Sequence, residues 1–545
     1  MIGSTLKTLG RQTAVYSFGD LLVKSLSFLL IPILTRVWAA DGPEMGTYGL
    51  LHLAESIAYI VFNLGLATAV IKVMADYRHT RARASVLFTT LGILGTLSLL
   101  LFGLGWIAAP HVAAPLFGPV VDPVDGTRFL RLTLMATYFS TFRFVTLSVL
   151  RVEERPWLYT LLNIINFMTY VGVAIWLVVF EEQGVLGIVY ANLTASIIML
   201  AVAVGLLQAR AQRPFSAEKA RALLGFGLPL LPNGLALWAL ALLDRWLLRL
   251  LSSTPELGIA LTGQYDVAYR FGMIVSFLLV VPLRTAWVPT LFRIRDHHEA
   301  PVLYGRLITY VLAVGGGIAL ALGVLSREIL EIVAEPEWLA AAAPLPLIAF
   351  AYLAYGVSQI ADAGILARGR TTIYPLITFT SVLVNVSLCV LLIPRHGMMG
   401  AAWATLAAYA WHALLIARAS CAITPFRVEW KRIGIVVVAG AVVWFAASRL
   451  PEFALIPRIV FRTGILLLYP LVLWVLGFLS AEERAALGRL RSGEQTVEDP
   501  AGEERSAGKE DPAGGEEPVG EEGSAGEEEP AGEEEPAGEE RKDPS

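Results

Sequence analysis

RARASVLFTTLGILGTLSLLLFGLGWIAA, residues 81–109, decides the fold. From Ser85 to Ala109 no side chain is charged, and Arg81 and Arg83 close one end. About 20 apolar residues suffice for a helix to cross a hydrocarbon core about 30 Å thick. The segment reads as a membrane-spanning helix with cations at one end. It is one of fourteen such runs, near 12–36, 47–71, 85–109, 129–150, 157–180, 184–208, 222–248, 259–283, 302–325, 340–366, 371–393, 398–417, 433–449 and 458–479. Apolar residues make up 56% of the chain and charged residues 16%, far from soluble proportions.

The cations of residues 81–83 belong to a pattern. Lys72, Arg78, Arg81 and Arg83 follow the second run. The even-numbered loops continue with Arg151 and Arg155; Arg210, Arg213, Lys219 and Arg221; Arg284, Arg293, Arg295 and Arg306; Arg368 and Arg370; then Arg418, Arg427, Lys431 and Arg432. The odd-numbered loops, such as VAAPLFGPVVDPVDGT, EEQG, SSTPELG and EILEIVAEPEW, are poor in cations. Roughly twenty cations stand against about seven, and cations stay on the cytoplasmic side. The expected location is the cytoplasmic (inner) membrane, multi-pass, with both termini cytoplasmic. The first run is too long for a signal-peptide core and is expected to remain as a span.

The net charge of −4 hides two opposed parts. From Gly493 to Ser545 there are 20 acidic and 4 basic residues; the rest of the chain has 26 acidic and 38 basic, a net of +12. The Gly-, Glu- and Pro-rich C-terminal stretch lacks apolar residues to bury, which predicts a disordered cytoplasmic tail. The cationic body follows in large part from the loop-charge rule, and it also suits anionic headgroups or an anionic substrate.

Soluble chemistry finds no support. Cys389 and Cys421 lie in or beside apolar runs and make neither a disulfide framework nor a metal cluster. Walker, G-x-S-x-G and H-E-x-x-H motifs are absent from the sequence. The expected chain is not an enzyme, has no catalytic residue, uses no cofactor or metal and binds no nucleic acid. Transport energy must then come from a gradient, the membrane potential or downhill supply.

An internal repeat organises the runs. Tyr159, Asn163, Asn166 and Tyr170 in the fifth have the spacing of Tyr374, Thr378, Ser381 and Asn385 in the eleventh. EEQGVLGIVYANL follows the first set and PRHGMMGAAWATL the second. MGTYGLL from Met45 matches TGQYDVA from Thr262. The fold class is therefore all-α integral membrane: about fourteen transmembrane helices, as two pseudo-symmetric six-helix bundles plus two extra helices and a disordered tail. The expected divisions are 1–220, 221–420, 421–480 and 481–545. Parallel repeats place a substrate site at their interface.

Polar residues within the runs mark that interface, because intramembrane charges are costly and must face protein or a wet cavity. Thr13, Ser17, Asp20, Lys24 and Ser27 share one helix face, and Asp20 and Lys24 are four apart. His52, Glu55, Tyr59 and Asn63 make a second stripe; Asp266 and Arg270 repeat the four-residue spacing. Arg143, Asn233, Tyr352, Tyr355, Gln359 and Asp362 add further polar positions. Asp20–Lys24 and Asp266–Arg270 read either as site residues or as self-satisfied helix pairs. Asp244–Arg245 is expected near the outer interface, where a long side chain can snorkel. Pro32, Pro229, Pro232, Pro282, Pro289 and Pro375 are expected kinks.

YSFGDLLVKSLSFLLIPILTRVWAADGPEMGTYGLL resembles the first hairpin of polysaccharide-biosynthesis flippases. FGLPLLPNGLALWALALLDRWLL from Phe226 resembles their seventh helix, and TGQYDVAYRFG the start of their eighth. With the G-x-x-G repeats, the resemblance spans roughly residues 10–480 and points to the O-antigen and exopolysaccharide-repeat flippases of the multidrug/oligosaccharidyl-lipid/polysaccharide (MOP) superfamily. It implies alternating-access translocation of an undecaprenyl-diphosphate-linked oligosaccharide, with membrane lipids and polysaccharide polymerase or assembly proteins as partners. Lys24, Arg143 and Arg270 are the candidates for the diphosphate. Asp20, Glu55 and Asp266 would orient them or carry a coupling ion; Tyr59, Asn163, Asn166, Tyr355 and Gln359 would face sugars. A lipid II flippase is an alternative with fourteen spans and cationic cavity residues. A cation-coupled multidrug exporter would prefer twelve spans and an acidic cavity, and a membrane scaffold would leave the polar stripes without purpose.

Overall fold

The computed structural model describes residues 30–77, 80–208, 210–211, 214–294, 296–298, 300–451, 453–480 and 483–484. The chain divides into two units, Met1–Leu479 and Ser480–Ser545. The second lies almost wholly outside the described residues, and so does the expected disorder of the tail. All regular elements among the described residues are helical. Helix α1, Leu30–Val37, ends the first apolar run.

Among the described residues, twelve helical spans long and apolar enough to cross a membrane follow. They are α2 Glu44–Ala75, α3 Arg81–Val120, α4 Pro123–Val152, α5 Pro156–Phe180, α6 Gly184–Gln208 and α7 Ala217–Leu251. Then come α8 Pro255–Ile294, α9 Ala300–Val324, α10 Leu345–Ala367, α11 Thr371–Ile423, α12 Trp430–Ser448 and α13 Leu455–Val475. α11 bends back at Gly397, whose φ of 53° and ψ of −131° end one helix and start the next. Its arms match the expected eleventh and twelfth runs. Asp122 starts α4 by accepting bonds from the Val124 and Asp125 nitrogens, with Pro123 in the first turn. Thr254 and Pro255 do the same for α8, where Thr254 accepts from the Leu257 nitrogen. A capping oxygen followed by proline suits a helix start, since the first N–H groups lack intrahelical partners.

The repeat is visible in the packing. Helices α2 to α6 pack among themselves, as do α7 to α11. The two bundles meet where α2 crosses α7 and α8, while α12 packs on α9 and α13 on α12. Gly184 and Gly397 head the two G-x-x-G segments with φ of 56° and 53°, a left-handed conformation that favours glycine. Ile456 and Leu467 on α13 are 75% and 69% exposed, a face suited to lipid rather than water.

Three local expectations change. α2 breaks at Leu64 and Gly65, both left-handed, with no proline. The break holds because Gly65 sits against the Gly227 carbonyl on α7, and a Cβ there would overlap it. Pro229 lies in a 3₁₀ turn, Leu228–Leu230, within α7, but Pro375 occupies the first turn of its helix, where proline is tolerated and causes no kink. The stretch EILEIVAEPEW is not an open loop. It forms the helix Ser326–Val333 and a 3₁₀ segment, Pro336–Ala342. Glu328 Oε1 there lies 2.8 Å from Arg458 Nε and 2.7 Å from Arg462 Nη1, so two cations of α13 are neutralised in place.

Candidate functional site

Between the bundles lies a cavity with charged and polar side chains set in a largely apolar wall. Two adjoining chambers of about 550 and 560 Å³ share His52, Glu55, Arg143, Asn166, Asn192 and Tyr352. α2, α4, α5 and α6 supply the first bundle's wall; α7, α8, α10 and α11 supply the other.

The second bundle presents four charges in one network. Asp266 Oδ2 takes Arg270 Nε at 2.7 Å, one helical turn away, and Asp266 Oδ1 takes Arg245 Nε at 2.9 Å. Arg245 Nη1 also lies 3.3 Å from Asp244 Oδ1. Tyr265 and Thr405 donate to Asp244 Oδ2 at 2.7 and 3.0 Å. Arg245 lies over the Tyr269 ring, 4.1 Å from its centre. The expectation that Arg245 snorkels outward is therefore corrected: it is 2% exposed and Asp244 is 0% exposed. Two carboxylates offset two guanidinium groups, which a low-dielectric interior requires. Arg270 reaches across to the first bundle, 3.5 Å from the Tyr48 hydroxyl, which is itself 3.2 Å from the Tyr170 hydroxyl.

The first bundle is arranged differently. Asn192 donates to Glu55 at 3.0 Å, and His52 Nδ1 lies 3.8 Å from the same carboxylate. Arg143 Nη1 donates to Asn163 at 3.2 Å, and its guanidinium lies over Phe144 at 4.2 Å. Among the described residues Arg143 makes no ion pair, and its Nε makes no hydrogen bond. Among the described residues it is the central-cavity arginine without a carboxylate at ion-pair distance, whereas Arg245 and Arg270 are both paired.

Of the sequence candidates, Arg143, Glu55 and Asn166 line both chambers, Arg270 and Asp266 line one, and Tyr59 and Tyr355 line the other. Asn163 lines a third chamber on the first-bundle side. Gln359 is not among the lining residues; its backbone carbonyl accepts from Arg284. Asp20 and Lys24 lie outside the described residues. Sequence reasoning missed Asn192, Trp238, Tyr409 and the inward Arg245. Asn192 and Thr405 occupy equivalent places in the two quoted G-x-x-G segments, and each bonds a site carboxylate. That equivalence was the available signal.

Two helix bundles face each other across a cavity with charged residues in its wall, in a chain with helices long and apolar enough to cross a membrane. The chain belongs to the polysaccharide biosynthesis protein family, whose profile matches residues 33–343. Among solved structures it is similar to the lipid II flippase MurJ in an inward closed conformation, at 15% identity and TM-score 0.69 over 84% of this chain and 98% of that one. An inward-facing multidrug resistance MATE transporter gives 14% identity and TM-score 0.59 over 77% and 99%. A MOP superfamily transporter from Pyrococcus furiosus Vc1, described by the reversed polarity of its binding pocket, gives 15% identity and TM-score 0.56 over 79% and 96%. No curated protein sequence matches the chain.

Proposed function

We propose that the protein is a flippase that carries an undecaprenyl-diphosphate-linked oligosaccharide from the cytoplasmic to the outer leaflet of the cytoplasmic membrane. One observation carries this reading: Arg143 lines both chambers of the inter-bundle cavity and, among the described residues, has no carboxylate within ion-pair distance. A guanidinium binds phosphate through charge-assisted, often paired hydrogen bonds. Arg270 and Lys24 complete the candidate diphosphate set, and Asp20, Glu55 and Asp266 orient it or carry a coupling ion. Tyr59, Asn166 and Tyr355, with Tyr352 and Tyr409, offer rings and amides to sugars, and Asn163 positions Arg143. The polyprenyl chain stays in lipid while the headgroup, too polar for hydrocarbon, passes through the cavity. The cation-rich loops and both termini face the cytoplasm, and the divisions 1–220, 221–420 and 421–480 are the working bundles and added helices.

A second reading, lipid II as substrate, draws on the likeness to the lipid II flippase fold. Proteoliposomes holding the full chain separate the two. Prenyl-diphosphate-linked oligosaccharide and lipid II are offered in turn, and the headgroup reaching the far leaflet is measured. Transport of the first alone supports the proposal; transport of lipid II alone overturns it in favour of the second reading.

A further inference from the structure

A third chamber, of about 410 Å³, opens beside the central cavity on the first-bundle side, between α2, α4 and α5. Thr68, Ser148, Arg151, Tyr159 and Asn163 line it. It adjoins the central cavity through Tyr59 and Phe144, which line both. Asn163 ties the two together, since it lines this chamber and accepts from Arg143. Arg143 and Arg151 are eight residues apart on α4, about 12 Å along its axis. One guanidinium serves the central cavity and the other the side chamber.

Arg151 is built into that wall. It donates to the Tyr159 hydroxyl and lies over the Tyr159 ring at 4.8 Å, while Tyr159 is 3% exposed. The internal repeat makes the arrangement informative. Tyr374 holds the place of Tyr159 in the second bundle, and its hydroxyl donates to Asp362 at 2.9 Å, with Arg284 2.7 Å from that carboxylate. The first bundle thus sets a guanidinium on its tyrosine where the second sets a carboxylate. An anion entering at this end on the first-bundle side meets the Arg151 guanidinium.

We infer that the chamber at Arg151 is a capture subsite for lipid-borne phosphate, which α4 then passes inward from Arg151 to Arg143. This rests on the flippase reading. Arg151 stands with Arg155 and Arg210 at the end that the charge pattern assigns to the cytoplasm, where the lipid-linked substrate is made available. The chamber's wall also carries apolar residues such as Ile71 and Leu147, so the prenyl chain has an apolar edge to follow outward.

The test uses the full chain in nanodiscs, with undecaprenyl diphosphate as the binding probe and phosphatidylglycerol as the competing anionic lipid. Arg151→Ala is expected to weaken binding by about ten- to hundredfold, the size of one lost charge-assisted contact. Arg151→Lys should keep most of it. Thr68→Glu, at an exposed lining position, should weaken it too without touching the arginine. Wild-type binding by Arg151→Ala, or equal displacement of the probe by phosphatidylglycerol, overturns the capture subsite and leaves the flippase reading intact. Failure of the unaltered protein to bind undecaprenyl diphosphate overturns both.

Discussion

Gly46 of α2 and Gly263 of α8 meet across the boundary between the bundles: a Cβ on Gly263 would lie 2.9 Å from the Gly46 nitrogen. A Cβ on Gly46 would overlap the Ile259 carbonyl. The two glycines hold the same position in MGTYGLL and TGQYDVA, so equivalent helices of the two copies touch at equivalent points. Small residues let membrane helices approach until their backbones pack. The contact lies one turn from Gly49 and Asp266, where an added Cβ on the glycine would stand 3.5 Å from the Asp266 side chain. Bundle contact and charged site are therefore mechanically joined.

Gly46→Leu should force α2 and α8 apart. Overpacking costs about 1–3 kcal/mol in a tight interior, and the displaced α2 should also misplace Glu55. Thermal unfolding of the purified protein should shift down, and transport should fall. Unchanged stability and transport would show that the bundles do not rest on this crossing.

Asp266 serves two arginines, whereas Arg270 serves one carboxylate. Asp266→Asn should therefore destabilise more than Arg270→Gln, since removing a member of a buried pair costs about 3–5 kcal/mol. The double variant Asp266→Asn/Arg270→Gln leaves Arg245 with Asp244 and should recover part of the loss. Thermal unfolding in detergent orders the three; an Arg270→Gln as damaging as Asp266→Asn contradicts the network.

Reporter fusions at Asp122, Glu256 and Glu337 should read outside, and those at Arg81 and Arg427 inside. Asp122 and Thr254–Glu256 start α4 and α8, so the reporters fall at helix ends. Two or more inverted results would overturn the orientation.

Spans and repeat were legible because apolar runs and four-residue polar spacings are local. Asp266–Arg270 was readable for the same reason, being one helical turn. The partners of Arg245 and Asp244 were not. Arg245 reaches Asp266 21 residues away, and Asp244 reaches Thr405 161 residues away. No periodicity encodes such contacts, so Asp244–Arg245 read as an interfacial pair. The break at Leu64–Gly65 was hidden for a similar reason: the partner that holds it is Gly227, far along the chain, and no proline marks it. Arg151 read only as a loop cation, because its chamber needs α2, α4 and α5 together.

On the proposed reading, Arg143 carries the diphosphate through the cavity. The most direct measurement is the translocation rate of a prenyl-diphosphate-linked oligosaccharide in proteoliposomes, for the unaltered protein, Arg143→Ala and Arg143→Lys at matched protein content. A charge-assisted contact is worth about 1.5–3 kcal/mol, so Arg143→Ala should slow translocation by about ten- to hundredfold, and Arg143→Lys should retain more. Arg143→Ala translocating at the unaltered rate would contradict the account.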